Sequence, residues 1–494
     1  MLKRNKTTIS SKMRDINLLM TKSLITEPLG LYGWENLEPV ILAALATELP
    51  MLLIGKHGCA KSFILERLAK SLNMIFRCYN ASLINYDDLV GIPIPTDNNT
   101  SLKYISNKSA IWESEVVFID EINRTKPELQ NKLFPIIYDK RIQGQDLEKL
   151  KYRWAAMNPP CFDEDDEDGN NVQYLGAMPL DPALADRFPF IITVPNWENL
   201  NDNQKSSLLC DQFQEKCEFP IDISKLILET KSKYKEVVEQ FCDDSAKYIS
   251  TLMSVLQNSI GYVSARRAKM LQETLLAIHA ARLVLSQYNN IQKEITLEDS
   301  SYLALPNTLP NTAMKKLDLN TIVCMVGQAW NISKIADDYE KNLLLINEPV
   351  KRLSFAINNN KKIAISTLAS VITKSISEIT GVKKRAVCLA TYLAIRKIAD
   401  IPATVIETIA TNIRPCFEPV EQKYGIDRNH LQRNHQIERK VNSLMCKNKN
   451  KESIEQQKYR DNLLNSFLPD GFNDENEVQE LFDFFNILWK EFKL

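Results

Sequence analysis

Two short segments of this 494-residue chain hold the residue types that phosphate chemistry needs. Residues 51–62 read MLLIGKHGCAKS, an apolar run followed by a glycine-bearing turn, with Lys61 and Ser62 opening a helical pattern. Backbone N–H groups of such a turn face phosphate oxygens, a lysine reaches the outer phosphates, and a hydroxyl binds Mg²⁺. The residues expected to contact a nucleotide are Gly55, Lys56, His57, Gly58, Cys59, Ala60, Lys61, Ser62 and Phe63.

The second segment, residues 116–121, reads VVFIDE and predicts an apolar strand that ends in two carboxylates. An adjacent acidic pair at the end of such a strand needs a cation or solvent. Asp120 and Glu121 are together suited to hold the Mg²⁺ that Ser62 also binds and to activate a water; the family resemblance given below implies the metal role for Asp120 and the water role for Glu121. The two segments in this order predict an NTPase that uses ATP and Mg²⁺.

Residue 60 departs from the usual phosphate-loop pattern, which has glycine immediately before the lysine. Glycine serves where the backbone has a positive φ or closely approaches the phosphate. The prediction therefore requires Ala60 to have an ordinary, negative φ. The alternative is a buried strand, a turn and a helix, with Lys61 solvated. Apolar residues at helical spacing in 63–72 favour the phosphate loop.

Composition limits the possible partners and compartments. The 61 basic and 62 acidic residues nearly cancel, so no overall field marks a nucleic-acid binder. The ten cysteines show no CxxC pair or metal-binding spacing, which indicates reduced thiols in a cytoplasmic protein. No run of about 18 apolar residues occurs, so no membrane span is expected.

Five regions follow from the pattern along the chain. Apolar strands alternate with amphipathic helices up to about residue 200, which predicts a parallel sheet; the rest of the pattern is helical. The predicted regions are a flexible N-terminal arm (1–30), an α/β nucleotide-binding domain (31–197), a helical lid (198–305), a helical domain (306–420) and a charged helical C-terminal extension (421–494).

Three segments allow alternatives. Residues 421–460 are rich in charge, Asn and Gln, and we expect a mobile or solvated helical connection. The acidic segment 162–170 is expected to be a solvated loop, or a contact for a basic partner. Residues 477–492 carry an apolar stripe at helical spacing, for which core packing is favoured over a partner-docking helix.

In five motifs over about residues 30–305, the chain resembles the MoxR-type AAA+ ATPases. Residues 55–62 resemble Walker A, in which members of the family often have alanine before the lysine. Residues 116–124, VVFIDEINR, are similar to Walker B and the turn that follows it. Residues 155–159 resemble sensor 1, residues 180–188 the segment of the arginine finger, and residues 264–266 sensor 2.

The resemblance implies an α/β fold, with a P-loop AAA+ core on a parallel sheet, then an all-helical lid and a further helical region. It implies catalytic roles for Asn158, Arg187 and Arg266 beside Glu121. Arg187 would act in trans on nucleotide held by the next subunit of a ring, as a homo-hexamer. Hairpins are expected within 87–111 and 140–151, and a von Willebrand factor A domain protein is the implied partner.

The same residues also have simpler interpretations. Asn158 could cap the turn before Pro159, and Arg187 and Arg266 could form surface salt bridges. Arg267, adjacent to Arg266, leaves the sensor 2 position open. Three functions follow: a chaperone-like ATPase that remodels or loads a protein client, a nucleic-acid-dependent motor or restriction-type NTPase, and a nucleotide-binding scaffold. The balanced charge argues against the second, and the complete set of catalytic residue types against the third.

Overall fold

A computed structural model describes residues 23–95, 102–105, 110–142, 144–159, 180–211, 222–310, 318–417, 428–447, 453–468 and 471–494. Internal contacts divide the chain into two compact units, Met1–Ser333 and Lys334–Leu494. This division falls inside the predicted helical domain 306–420, because the helix that ends at Ser333 packs with the lid helices of the first unit. The acidic segment 162–170 and residues 1–22 of the arm lie outside the described residues.

The first unit is built on a five-stranded parallel sheet, as predicted. The strands of the described residues are β1 (Met51–Ile54), β2 (Phe76–Asn80), β3 (Ile92–Pro95), β4 (Leu102–Ile105), β5 (Val116–Asp120), β6 (Arg141–Ile142), β7 (Gln145–Asp146), β8 (Tyr152–Met157) and β9 (Phe190–Thr193). In the large sheet their order is β2-β5-β8-β1-β9. β1 is buried throughout, with β8 on one side and β9 on the other, which explains its wholly apolar sequence.

Two antiparallel hairpins project from this arrangement. β3 pairs with β4, and β6 pairs with β7. They fall within 87–111 and 140–151, so both predicted hairpins are present.

Helices surround the sheet and continue as a lid. Those described in this unit are α1 (Glu38–Thr47), α2 (Lys61–Ser71), α3 (Tyr86–Val90), α4 (Pro127–Phe134), α5 (Pro182–Ala185), α6 (Asp202–Asp211), α7 (Ile223–Ile260), α8 (Ala265–Tyr288), α9 (Leu297–Ala304) and α10 (Leu319–Ser333). The 38-residue α7 packs along α8, and α1 packs against both. Near the start of α7, Lys231 Nζ lies 3.3 Å from the Glu48 carboxylate, which follows α1.

The predicted flexible arm is wrong for residues 23–30. The carboxylate of Glu38 is fully buried and accepts backbone N–H bonds from Leu24, Ile25 and Thr26 at 3.1, 2.9 and 2.7 Å. Leu24 and Ile25 are themselves buried. Because a buried carboxylate needs several donors, this segment is tied to the start of α1.

The second unit is entirely helical within the described residues. Its helices are α11 (Asp338–Leu345), α12 (Pro349–Asn358), α13 (Ile365–Glu378), α14 (Val382–Ile395), α15 (Ala403–Ile413), α16 (Arg428–Lys447), α17 (Ile454–Asn465) and α18 (Glu475–Glu491). One hydrophobic core includes the apolar stripe of α18, with Val478, Leu481 and Phe485 fully buried. Core packing, the favoured interpretation of this stripe, is confirmed.

The expected solvated connection over residues 421–460 is wrong where the structure describes it. Ile437, Val441 and Leu444 of α16 belong to the same core as α18. These residues recur at helical spacing, so a highly charged helix still has one apolar face. In the described part of the chain, no helix is long and apolar enough to cross a membrane.

Candidate functional site

The carboxyl ends of three neighbouring strands meet at one edge of the sheet. β5, β8 and β1 are adjacent and parallel, and their chains continue into Glu121, Asn158 and Gly55. Parallel strands bring such ends together, which is where α/β proteins bind ligands. The sheet order thus explains how residues about 100 positions apart come into contact.

The loop between β1 and α2 depends on two glycines for different reasons. A Cβ on Gly55 would lie 2.2 Å from Val194 Cγ2, so only glycine fits beside the end of β9. Gly58 has a φ of +78°, and a Cβ there would meet no atom within 4 Å. An open concave loop with a positive φ is the arrangement that lets backbone N–H groups surround an anion.

The expectation of an ordinary φ at Ala60 is wrong. Its φ is +58° and its ψ is +21°, the left-handed conformation that usually takes glycine. The Ala60 carbonyl accepts from Ile64 N at 3.0 Å, which starts α2 immediately after the loop. Ala60 therefore retains the glycine geometry at a steric cost of about 1 kcal/mol.

Lys61 turns back into the loop that precedes it. Its Nζ donates to the carbonyls of Gly55 at 2.6 Å and Lys56 at 2.9 Å, and to Asn158 Oδ1 at 3.2 Å. Burial lowers the pKa of the ammonium group, whereas the negative charges of Asp120 and Glu121 act in the opposite direction. The ammonium is thus held at the centre of the loop.

Ser62 and Asp120 form a second contact between the loop and β5. Ser62 Oγ donates to Asp120 Oδ2 at 2.9 Å, and Asp120 Oδ1 accepts from the backbone N–H of Glu121 at 2.9 Å. Hydroxyl and carboxylate oxygens are the ligands that Mg²⁺ prefers. The oxygen atoms of Ser62 and Asp120 and the open loop at Gly58 therefore fit a magnesium-bound nucleotide.

Glu121 has an unusual backbone and a close basic neighbour. Its φ is +54°, a conformation rare outside glycine, and it directs the chain into the turn Ile122–Arg124. One Glu121 carboxylate oxygen lies 3.2 Å from Arg124 Nη1. Strain of this kind persists where the surrounding structure fixes a side chain, often at functional sites.

Asn158 contacts both halves of this edge. Its side chain accepts from Lys61, and its backbone carbonyl accepts from Asn123 Nδ2 at 3.3 Å. Asn158 is buried, with 7% of its surface exposed, and its contact with Lys61 ties it to the loop. Sequence reasoning gave Asn123 and Arg124 no role, although both follow the acidic pair directly.

The remaining loop residues differ in exposure. Lys56, His57 and Phe63 are exposed. The centroid of the Phe63 ring lies 4.2 Å from Arg67 Cζ. Cys59 is partly buried and its Sγ lies 2.9 Å from Asn196 Oδ1. Burial raises the pKa of the Cys59 thiol, although Lys61 and Lys56 oppose this.

Arg187 and Arg266 lie near each other. Arg187 Nη1 donates to the Ala183 carbonyl at 2.6 Å, and burial followed by the charge of Arg266 lowers its pKa. Among the described residues, no hydrogen bond or ion pair joins either arginine to residues 55–63 or to the Asp120 and Glu121 carboxylates.

Arg267, next in sequence, is fully buried and has a different environment. Its guanidinium donates to Asp186 Oδ1 at 3.1 Å and to the carbonyls of Phe188 and Thr308, each at 3.0 Å. Ser264 Oγ donates to the other oxygen of Asp186 at 3.0 Å. These bonds of Arg267 connect the start of α8 to the segment after α5. Arg266, the adjacent residue, is exposed.

Residues 50–188 match the family model for AAA domains of the dynein-related subfamily. "Structural protein ORF618" of Acidianus two-tailed virus is 26% identical over 196 residues, which is 38% of this chain and 30% of that relative. This chain thus spans less than a third of the relative's length.

A crystal structure described as "a putative ATPase" from Cytophaga hutchinsonii is 18% identical to this chain. The match covers 66% of this chain and 97% of that one, with a TM-score of 0.40. Residues 50–188 are thus similar to AAA domains of the dynein-related subfamily, and the five-stranded parallel sheet and the geometry at its edge lie within or directly beside this match.

Proposed function

We propose that the protein is a ring-forming, Mg²⁺-dependent ATPase of MoxR-like type, which uses hydrolysis to remodel or load a protein client. One observation carries this proposal: Lys61, Ser62, Asp120, Glu121 and Asn158 meet at one edge of the sheet. Two arginines of the same unit, Arg187 and Arg266, lie near each other. Both groups support the proposal, because arginine side chains complete phosphate sites of this kind.

At the sheet edge each side chain has a distinct task. Ser62 and Asp120 would hold Mg²⁺, which supplies positive charge between the outer phosphates of ATP. Lys61 would leave the loop carbonyls for the phosphate oxygens, because an ammonium group is attracted more strongly to negatively charged oxygens than to neutral carbonyls. Glu121 would accept a proton from the attacking water and orient it, and Asn158 would donate a hydrogen bond to that water or to the γ-phosphate.

Arg187 and Arg266 support assembly into a ring. Phosphoryl transfer spreads negative charge onto the phosphate oxygens, and a fixed guanidinium stabilises it. Neither arginine has a hydrogen bond or ion pair with the sheet-edge residues of its own chain in the described structure, which supports a role for Arg187 on nucleotide held by a neighbouring subunit. Head-to-tail interfaces of this kind close into rings, for which we propose a homo-hexamer.

Subunit mixing tests the shared site. Lys61→Ala removes the phosphate contact and Arg187→Ala removes the finger, so each variant alone is expected to be nearly inactive. In a 1:1 mixed ring, about a quarter of the interfaces pair an intact phosphate loop with an intact finger, so activity should partly return. If both variants are inactive and mixing restores nothing, the arginine acts within its own chain.

Matched variants control for unfolding. Lys70 and Glu128 are exposed, so Lys70→Ala and Glu128→Gln should retain parental hydrolysis. Glu121→Gln should bind ATP but not hydrolyse it, because an amide cannot take the proton from water. Parental hydrolysis by Glu121→Gln would show that another residue activates the water.

The proposed client is a protein, with a von Willebrand factor A domain partner as the specific candidate. Purified Glu121→Gln protein with ATP should retain such a partner, and ADP should release it. Stimulation of hydrolysis by DNA or RNA with steep salt dependence would instead favour a nucleic-acid motor.

A further inference from the structure

We propose that Phe134 and Tyr138 are positioning residues, an aromatic platform that holds Arg187 and Arg266 ready for nucleotide on a neighbouring subunit. This inference rests on the proposed function. The two rings lie four residues apart at the end of α4, where the chain passes into a π-helical turn, Pro135–Asp139. Such turns are rare and occur frequently at functional sites.

Each arginine lies against one ring of the platform. The Arg187 Cζ is 4.1 Å from the centroid of Phe134, and the Arg266 Cζ is 5.5 Å from the centroid of Tyr138. Both distances fall within the range at which a cation is attracted to an aromatic face. The arginines come from different elements, the end of α5 and the start of α8, and the platform is common to both.

The attraction matters because two like charges are held near each other. Burial, followed by the charge of Arg266, lowers the pKa of Arg187, whereas Asp139, Asp186 and Asp181 act in the opposite direction. Asp186 is already engaged by Arg267 and Ser264. The aromatic faces thus provide attraction that does not neutralise the arginines.

The rings also leave the hydrogen-bond donors of the arginines accessible. Within the described part of the chain, Arg187 uses one donor on the Ala183 carbonyl, and Arg266 has no hydrogen bond. Stacking fixes the plane of a guanidinium while its edge remains open to phosphate oxygens. Arg267 shows the contrast, since its donors are occupied by Asp186 and backbone carbonyls.

A double-mutant cycle tests the platform in the assembled, full-length protein. Phe134→Leu should lower kcat about tenfold with KM for ATP unchanged, and Phe134→Tyr, which keeps the ring, should restore the parental kcat. In the Arg187→Ala background, Phe134→Leu should have no further effect on the residual rate, because it acts through that arginine. Independent, multiplicative losses would overturn the proposal.

Tyr138 provides a second variant with little risk of unfolding, because its side chain is 40% exposed. Tyr138→Leu should lower kcat and Tyr138→Phe should not. Trp197, which lies 5.7 Å from Lys205 Nζ, is a cation–π partner outside the cluster, so Trp197→Leu should leave kcat unchanged. Equal rates for Tyr138→Leu, Phe134→Leu and the parent would overturn the platform.

Failure of the platform and failure of the proposed function give different results. If Arg187→Ala is inactive while the two leucine variants are fully active, only the platform is wrong. If Arg187→Ala hydrolyses ATP at the parental rate, the assignment of Arg187 as the arginine finger is wrong, and the proposal for Phe134 and Tyr138 is then wrong as well.

Discussion

Lys61 Nζ lies 3.2 Å from Asn158 Oδ1, so the phosphate loop and the end of β8 are in contact within the subunit. The same ammonium holds two loop carbonyls, which fixes the loop around it. Asn158 is therefore placed to respond when Lys61 moves onto a phosphate. This contact is the reason to include the end of β8 in the proposed phosphate site.

Asn158→Ala should lower kcat about 100-fold, because a fixed hydrogen-bond donor beside the reacting phosphate is lost. ATP affinity should change less than threefold, since Lys61 and the loop remain. Steady-state hydrolysis and calorimetric ATP binding measure the two effects. The control is Asn320→Ala, an exposed change at the start of α10. If the Asn158→Ala variant hydrolyses ATP at the parental rate, Asn158 has no catalytic role and only caps the turn before Pro159.

Ser62→Ala should weaken ATP binding only when Mg²⁺ is present. The Ser62 hydroxyl contacts Asp120 and is a proposed metal ligand, whereas the loop N–H groups bind phosphate without the metal. Calorimetry with Mg²⁺ and with EDTA separates these contributions. Ser71→Ala, at the end of the same helix, should match the parent in both buffers. An equal loss in EDTA would contradict metal binding by Ser62.

Ala60→Gly should stabilise the protein by up to about 0.5 kcal/mol, because glycine relieves about 1 kcal/mol of left-handed strain but loses chain entropy on folding that costs about 0.5–1 kcal/mol. Urea unfolding measures the change in free energy. Ala69→Gly is the matched control in the buried interior of α2, where glycine should destabilise. If Ala60→Gly also destabilises, the positive φ of Ala60 is not a strained conformation.

Arg266→Ala and Arg267→Ala should have opposite profiles although the residues are adjacent. Arg267→Ala should cost about 3–5 kcal/mol of stability, because it leaves Asp186 without its buried partner. Arg266→Ala should stay within about 0.5 kcal/mol of the parent and lose hydrolysis instead. Urea unfolding and ATPase rates distinguish them, and a stable Arg267→Ala protein would contradict its anchoring role.

His279 should make the lid sensitive to acid. Its Nδ1 lies 2.9 Å from Ser300 Oγ, and burial, followed by the charge of Arg282, lowers its pKa to about 4. Below pH 6.5 the unfolded chain binds a proton that the folded chain does not. The free energy of unfolding should thus fall by roughly 3 kcal/mol as pH drops from 6.5 to 4.

Urea unfolding between pH 7.5 and 4 measures this loss. His279→Gln should flatten the pH dependence, whereas His435→Gln, at an exposed position, should leave it intact. Unchanged pH dependence in His279→Gln would assign the effect to other groups.

Local pattern was sufficient to predict the strand and the helix that carry the candidate site residues. Asp120 and Glu121 end an apolar strand, and Lys61 and Ser62 open a helix, so each position could be read from its own segment. Ala60 was different, because its φ is set by closure of the whole loop around Lys61. Sequence patterns specify which residues follow a strand more reliably than the backbone angles between them.

Tertiary packing decided the features that sequence could not predict. Arg266 and Arg267 are equivalent as residue types, and only the carbonyls of Phe188 and Thr308 determine which one is buried. The many charged residues of α16 made its apolar face hard to recognise in the sequence, although Ile437 and Val441 lie four residues apart and belong to the core. In both cases the deciding contacts come from distant segments.

The length of α7 has a mechanical consequence. About 44 Å of helix separates the Lys231 contact with Glu48 from Ile260, at 1.5 Å per residue. A turn of about 10° around that contact would shift the far end by roughly 8 Å. Spectroscopic labels at positions 70 and 262 would detect such a swing when ATP is added, and a constant separation would exclude it. Arg266 lies on the neighbouring helix α8, so such a swing would move Arg266 only by breaking the contacts that hold Arg267 to Asp186 and Phe188.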